Sequence, residues 1–512
     1  MRLEDEPPLE DLSGTVVRGV GLAGGGYILA QALNLGFYLA LARLATPSEF
    51  GQLAAGSIIV GAGLLISESG MMAAVVQRRN RAEEAASTAL FATVASGFGF
   101  SLVALALSPL IGLFFDSAEV GKVAAAMSGI IFIRTLSAIP DAVLQRRFSF
   151  LRRMVVEPAS VIAFGIAAVI ATANDMGVWG LVIGQYAAAV TDLTLSWTLA
   201  RWRPRPGMAS FAMWRELIAY GRHVFAATLI LRVGEQADAL WLGRFLGTAS
   251  LGQYRYAFRL ASTPYLALVA GASYVLFPAF SRIATEAERF KAAFMRSLRW
   301  MCVVGFPACL VLLPLGVPMA VILFGEVWRE AGYAAMAMCL YGAAGVLSSI
   351  ASEALKAHGR PDLLTRMHTL TTVLTAILMG ALLPVGIVGV AAALSLGATV
   401  SAIYAIRLLH RTIGFELDAM WREIWPPAAA ALAMVAIMLP VEHLLIEAAD
   451  AELPASALLL AGELLAAAAV YLLALRLIAP HITRELLHAA ARLLVRFRRR
   501  RRGGDAAEEV LP

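Results

Sequence analysis

Charge is scarce in this chain. Asp, Glu, Lys and Arg supply 15% of its 512 residues, against about 25% in an ordinary soluble protein. With 60% hydrophobic residues, too little polar surface remains to cover a water-soluble globule. Cysteine is nearly absent. Cys302, Cys309 and Cys339 lie in apolar segments with neither a disulfide framework nor metal spacing, so buried inert thiols are expected. The 7 histidines form no metal-spaced pair. No Gly-rich phosphate loop with its Lys and no nucleophile elbow occur, and His358 has no acid or nucleophile placed to complete a triad. The chain is therefore expected to be no enzyme and to hold no cofactor or metal. No charged-then-apolar leader with a small-residue cleavage site precedes the first apolar run, so no cleaved signal peptide is expected.

What the chain has instead is apolar blocks of 20 residues or more, each long enough to cross roughly 30 Å of hydrocarbon. The predicted fold is an all-α integral membrane protein with about 14 transmembrane helices. They are expected near 19–43, 51–76, 86–115, 123–144, 154–173, 177–200, 217–245, 251–279, 298–324, 331–355, 364–385, 387–409, 426–446 and 456–477. The connections on one side carry nearly all the basic residues: Arg78, Arg79 and Arg81, then Gln145–Arg153, Arg201–Arg205, Arg282–Arg299, Lys356–Arg366, Arg407–Arg422 and the tail. Only Arg43, Lys122, Arg244 and Arg329 fall in connections on the other side. Cytoplasmic loops hold the excess of Lys and Arg, which places both termini in the cytoplasm.

The chain repeats itself. Leu41, Arg43, Gly51 and Gln52 recur 201 positions later as Leu242, Arg244, Gly252 and Gln253. S-A-I-P-D-A-V-L from Ser137 resembles S-S-I-A-S-E-A-L from Ser348, and G-V-W-G-L-V from Gly177 resembles G-I-V-G-V-A from Gly386. Matches in one order at nearly one offset predict two six-helix halves. Six is even, so both halves enter from the same side as parallel repeats, the arrangement in which transporters bind substrate between halves and rock around it. The expected divisions are a cytoplasmic N-terminus (1–18), a first six-helix lobe (19–205), a second (206–412), two additional helices (413–480) and a basic cytoplasmic tail (481–512). The tail interleaves arginines with Ile482, Leu486, Leu487, Leu494 and Phe497, a pattern suited to anionic lipid headgroups and not to nucleic acid.

Ionisable groups inside spans are costly and mark function by default. Arg134, Arg222, Arg232, Arg255 and Arg259 lie within predicted spans, and a guanidinium suits phosphate through its planar two-bond fork. These five are the candidate substrate-binding residues, lining a cationic cavity between the halves. Glu68, Asp192, Glu235 and Asp238 are the candidates for gating or ion coupling, because a desolvated carboxyl can take up a proton near neutral pH. The structural alternative pairs Asp238 with Arg259 across two helices and Arg232 with Glu235 along one, leaving Arg134, Arg222 and Arg255 unpaired. Asp141, Glu157 and Glu353 lie near inner helix ends, where loop arginines are expected to satisfy them. Prolines 109, 140, 264, 307, 314 and 318 are candidate bending points.

F-G-Q-L at Phe50, S-E-S-G at Ser67, Q-R-R-F-S-F at Gln145, G-V-W-G-L-V at Gly177 and W-R-P at Trp202 form an ordered set with D-A-L-W-L-G-R-F-L-G-T-A-S-L-G-Q-Y at Asp238, L-F-P-A-F-S-R at Leu276, L-F-G-E-V-W at Leu323 and H-G-R-P at His358. In these motifs the chain resembles the Wzx-type oligosaccharide-lipid flippases of the multidrug/oligosaccharidyl-lipid/polysaccharide exporter superfamily. The resemblance implies a bundle of twelve to fourteen helices in the inner membrane. It would move polyprenyl-diphosphate-linked sugar units to the outer leaflet for exopolysaccharide, capsule or O-antigen assembly. The implied partners are the lipid-linked oligosaccharide, membrane lipids, and polysaccharide polymerase and chain-length proteins. A cation-coupled drug antiporter of the same superfamily is the first alternative, although a cation site wants acids where this chain has arginine. A membrane polysaccharide polymerase is the second, although every connection on the far side is short.

The arginine bias has a direct test. Cysteines introduced at Ser149 and Ser281 should be shielded from an impermeant thiol reagent in intact cells, and one at Ser250 should be labelled. The reverse pattern would invert the chain.

Overall fold

The computed structural model describes residues 29–68, 71–78, 80–146, 155–446, 448–450 and 455–485, apart from some side chains inside helices. Every long element among them is a helix. They are α1 (Leu29–Leu44), α2 (Pro47–Glu68), α3 (Met71–Gln77), α4 (Ala82–Phe114), α5 (Ala118–Arg146), α6 (Glu157–Ala173), α7 (Val178–Ala200), α8 (Phe211–Phe245) and α9 (Gly247–Arg282). The chain continues through α10 (Ala287–Leu310), α11 (Leu312–Phe324), α12 (Arg329–Ala337), α13 (Cys339–Ala357), α14 (Pro361–Leu382), α15 (Ile387–Ile413), α16 (Leu417–Val441) and α17 (Ala455–Ile478). Among the described residues, 9 helices are long and apolar enough to cross a membrane, or up to 11 if each of two bent pairs is one span. The shorter apolar α1 and α6 and the 35-residue α8 occupy the remaining expected positions. The expected span 51–76 is covered by α2 up to Glu68 and by α3 from Met71, and Ser69 and Gly70 between them lie outside the described residues. The N-terminus and the tail beyond residue 485 lie outside the described residues, as does most of the Gln145–Arg153 loop. All three cysteines are buried.

By contact the chain forms two compact units. One comprises residues up to Tyr256 with Leu323–Ala331 and Ala376–Val390. The other comprises Ala257–Ile322, Gly332–Thr375 and the residues from Ala391 onward. The first unit thus holds the first repeat together with three stretches of the second, including the Gly247 turn.

Two breaks shape the spans of the second repeat. Between α10 and α11 the axis turns by 54°. Pro314 has no N–H to give the Leu310 carbonyl, and its ring clashes with that turn. Between α12 and α13 the axis turns by 44° with no proline at the break. Here Ser395 of α15 inserts its hydroxyl into the helical ladder, donating to the Ala337 carbonyl (2.6 Å) and accepting the Tyr341 N–H (3.2 Å). That side chain replaces the Tyr341-to-Ala337 bond of a continuous helix. Pro109, Pro140, Pro264 and Pro278 all lie inside continuous helices.

Helix α2 starts with a capping box. Thr46 N–H donates to Glu49 Oε2 (2.7 Å), Glu49 N–H donates to Thr46 Oγ1 (3.4 Å), and Pro47 occupies the first helical position. The 201-residue offset maps Pro47 onto Thr248 and Gly51 onto Gly252. In the first unit Gly51 lies against Thr248 and Gly252 against Pro47. A Cβ on Gly51 would fall 1.7 Å from the Thr248 carbonyl oxygen, and one on Gly252 would fall 1.9 Å from the Pro47 carbonyl oxygen. Each position thus meets the repeat-mate of the other's neighbour, the reciprocity of a two-fold contact. Ser48 Oγ and Thr248 Oγ1 add a hydrogen bond at 3.3 Å.

Gly51→Ala and Gly252→Ala should each lower the unfolding temperature of the purified protein, with an overpacking cost of about 1–3 kcal/mol or more. Gly61→Ala is the control on the same helix, because nothing lies within 4 Å of its added Cβ. It should be neutral or stabilising by about 0.5–1 kcal/mol.

Candidate functional site

The motifs scattered along the sequence meet around this glycine contact. Phe50 follows the first capping box, Gln253, Tyr254 and Tyr256 follow Gly252, and Phe324 and Trp328 belong to L-F-G-E-V-W. Trp328 is fully buried and donates its indole N–H to the Ala42 carbonyl at 2.8 Å. Its ring lies 3.9 Å from that of Tyr256 and 5.7 Å from that of Phe50, while Phe324 packs edge-on to Tyr256 at 4.9 Å. Tyr256 donates its hydroxyl to the Tyr38 carbonyl at 3.2 Å. Gln253, also buried, uses both ends of its amide. It donates to the Val327 carbonyl (2.6 Å) and accepts the Ala331 N–H (2.9 Å), so it holds the turn that carries Trp328. The result is a seam of aromatic rings and satisfied polar groups where the opening turns of the two repeats meet. Offset tyrosine and tryptophan rings pack tightly here while their polar tips find carbonyls.

One turn below the seam lies the charge pair. Arg255 donates to Gln236 Oε1 at 3.1 Å and has Asp238 at 3.9 Å. Asp238 also accepts the Ala239 N–H at 2.7 Å, with the Tyr254 hydroxyl beside it. The arginine expected to stand unpaired is therefore the one paired with Asp238, in place of the expected Arg259. The reason is helix geometry around Gly247. Asp238 lies nine positions before that glycine and Arg255 eight after it, whereas Arg259 lies twelve after it and one turn deeper. The Arg255 Nε is buried without a partner, and the side chain as a whole is 32% exposed.

Arg134 lies within α5, half-buried, and its guanidinium makes no ion pair among the described residues. Asp192 accepts the Ser137 hydroxyl at 3.0 Å, and one turn on Asp141 accepts the Ser196 hydroxyl at 2.6 Å. Both bonds join α5 to α7, and the Trp197 indole N–H adds a third to the Leu136 carbonyl at 2.9 Å. In the second unit Glu353 accepts from Ser273 (2.9 Å) and from Lys356 (3.1 Å). Ser273 and Lys356 thus meet Glu353, where a loop arginine was expected, because this carboxyl faces the neighbouring helix, while Ser196 is one of the partners of Asp141. The loop arginines bind other acids: Arg78 binds Glu216 at 2.5 Å, Arg205 binds Glu83, and Arg299 binds Glu423. The side chains of Glu68, Arg222, Arg232 and Glu235 lie outside the described residues.

Sequence reasoning singled out the L-G-Q-Y and L-F-G-E-V-W motifs without assigning work to Gln253 or Trp328. The signal was present: a Gln in an apolar helix, repeated at offset 201, and a Trp three residues after Gly325 in L-F-G-E-V-W.

A family model described as polysaccharide biosynthesis protein matches residues 40–333. The chain belongs to that family. The match includes the seam residues from Ala42 to Ala331, and it agrees with the Wzx-type resemblance of the motifs. Among relatives in the family, the teichuronic acid biosynthesis protein TuaB of Bacillus subtilis is 23% identical over 75% of this chain and 81% of its own length. The lipopolysaccharide biosynthesis protein WzxC of Escherichia coli is 23% identical over 68% of this chain and 71% of its own. Of solved structures, the lipid II flippase MurJ in an inward closed conformation is 15% identical with a TM-score of 0.71, covering 91% of this chain and 99% of MurJ. An inward-facing MATE multidrug transporter is 15% identical with a TM-score of 0.58, covering 77% and 96%. At these identities the likeness establishes the fold alone: a multi-pass helical membrane bundle.

If Asp238 and Arg255 interact as placed, replacing each by alanine should give non-additive losses of stability, with a coupling of about 1 kcal/mol. The exchange Asp238→Arg with Arg255→Asp should recover part of the loss in thermal unfolding. Strict additivity would dissolve the pair.

Proposed function

We propose that this protein carries polyprenyl-diphosphate-linked oligosaccharide units across the cytoplasmic membrane for exopolysaccharide, capsule or O-antigen assembly. It works by alternating access, with both termini in the cytoplasm, and does no covalent chemistry. The observation that carries the reading is the seam. A carrier of two parallel repeats needs a contact between them at one end that can part and re-form. The glycine contact and its aromatic ring cluster join the opening turns of both repeats without a covalent or metal link among the described residues.

We assign this seam to the outer face, a reading that the arginine distribution supports, so that substrate enters from the cytoplasm while the seam is closed. Arg134, without an ion pair among the described residues, and Arg255, loosely held by Asp238, are the groups we assign to the diphosphate. Each offers a fork that retains its charge in a low-dielectric setting. Arg222, Arg232 and Arg259 are assigned to the same substrate-binding role. Glu68, Asp192, Glu235 and Asp238 are assigned to gating or ion coupling. The names and neighbours reported above support the reading, as does the absence of an enzyme constellation from the sequence. Polymerase and chain-length proteins are the partners that would take the sugar units onward.

Deleting the gene should cause one lipid-linked oligosaccharide to accumulate in the inner leaflet, where extraction and mass spectrometry identify it. The wild-type gene should clear it. Arg134→Ala should not, although the protein reaches the membrane, and Arg134→Lys should do so partly, because an ammonium lacks the planar fork. Normal export by the Arg134 and Arg255 alanine variants would sink the substrate-binding assignment. No accumulating lipid-linked sugar would sink the flippase reading.

A further inference from the structure

The two helices that follow the repeats contain a pair of carboxyls that nothing above uses. The buried face of α17 runs Ser456, Leu460, Glu463, Ala467, Tyr471 and Leu475, a helical stripe in which Glu463 is the single acid. Its side chain is not turned to lipid. The residue is 2% exposed within the protein, while Leu458 and Leu465 on the opposite face are each 73% exposed. Both carboxyl oxygens of Glu463 are buried, and among the described residues no donor reaches either. The group facing them is a second carboxyl, that of Glu442 at the end of α16, itself 4% exposed. Glu442 begins a single π-helical turn, Glu442–Ile446, and accepts the Ala448 N–H at 3.2 Å. Around the pair lie Leu315, Ile322, Leu460 and Ala448, all buried.

Among the described residues the neighbouring elements bring no cation to this place. Helix α11 contains no ionisable residue, and the Trp300–Leu310 part of α10 contains only Cys302 and Cys309. In the π-helical turn the neighbour of Glu442 is His443, which is exposed, and in sequence the segment leading to α17 adds only acids, Glu447, Asp450 and Glu452. Tyr471, two turns from Glu463, donates its hydroxyl to the Val303 carbonyl at 2.7 Å. Two carboxylates buried against each other in apolar surroundings cannot both stay ionised unless a positive charge lies between them. A π-turn leaves carbonyls outside the regular ladder, where they can complete such a site.

We propose that Glu442 and Glu463 form a binding site for one small hard monovalent cation, built into the helix pair outside the repeats. Its occupant is a proton shared between the two carboxyls, or a sodium ion whose entry releases that proton to solvent. The site stands independently of the substrate reading, since no residue assigned to substrate binding takes part.

Infrared difference spectroscopy on the purified full-length protein in lipid nanodiscs tests it. The wild type, titrated between about pH 5 and 9, should show the C=O stretch of a protonated buried carboxyl. Glu463→Gln and Glu442→Gln should each remove that band, and Glu353→Gln, whose carboxyl is already paired with Lys356, should leave it. Weakening of the band in sodium chloride relative to choline chloride at one pH identifies sodium as an exchanging occupant. Equal bands in the two salts identify the proton alone. Absence of both a protonated-carboxyl band and a sodium effect in the wild type would overturn the proposal, with no variant needed. So would a band that survives in both glutamine variants.

Discussion

The structure depends on a contact in which two backbones touch with nothing between them. Where Gly51 meets Thr248 and Gly252 meets Pro47, no side chain fits, since a Cβ would fall within 2 Å of a carbonyl oxygen at either site. Close approach of this kind is the means by which helices associate when the solvent is as apolar as their side chains. Lipid removes the hydrophobic drive, and van der Waals contact and hydrogen bonds must do the work. Around it the rings of Phe50, Tyr256, Phe324 and Trp328 pack, and Gln253 holds the turn that brings Trp328 in. The two repeats can be read as copies because this contact requires the same small residue in both.

The buried polar groups follow from the same scarcity of water. Asp141, Asp192 and Glu353 each accept a serine hydroxyl from a neighbouring helix. A serine supplies a bond without a second charge and without much bulk, so the helices stay close. Charged partners occur at the arginine-rich helix ends, where Arg78, Arg205 and Arg299 meet acids. The carboxyls of Glu442 and Glu463 depart from this pattern, because each faces another acid.

Bending follows backbone hydrogen bonding more closely than proline content. Pro314 interrupts a helix because the ladder cannot pass it, yet Pro109 and Pro140 lie in helices that run on. The α12–α13 break arises from Ser395, a residue on another helix.

The sequence by itself determined the all-helical membrane fold, the positions of most spans and the repeat, because these rest on local hydropathy and on residues compared along one chain. It also marked the motifs now found at the seam. Only the tertiary structure decided which groups meet. Asp238 pairs with Arg255 because the Gly247 turn brings those two to equal depth. Serines from neighbouring helices bond Asp141, Asp192 and Glu353, since which helices adjoin is a property of the bundle. Glu463 passed unremarked as one acid in an apolar run, because its significance lies in a second acid 21 positions earlier in the chain. A hydropathy pattern gives depth and face, whereas partnership across helices is fixed by packing.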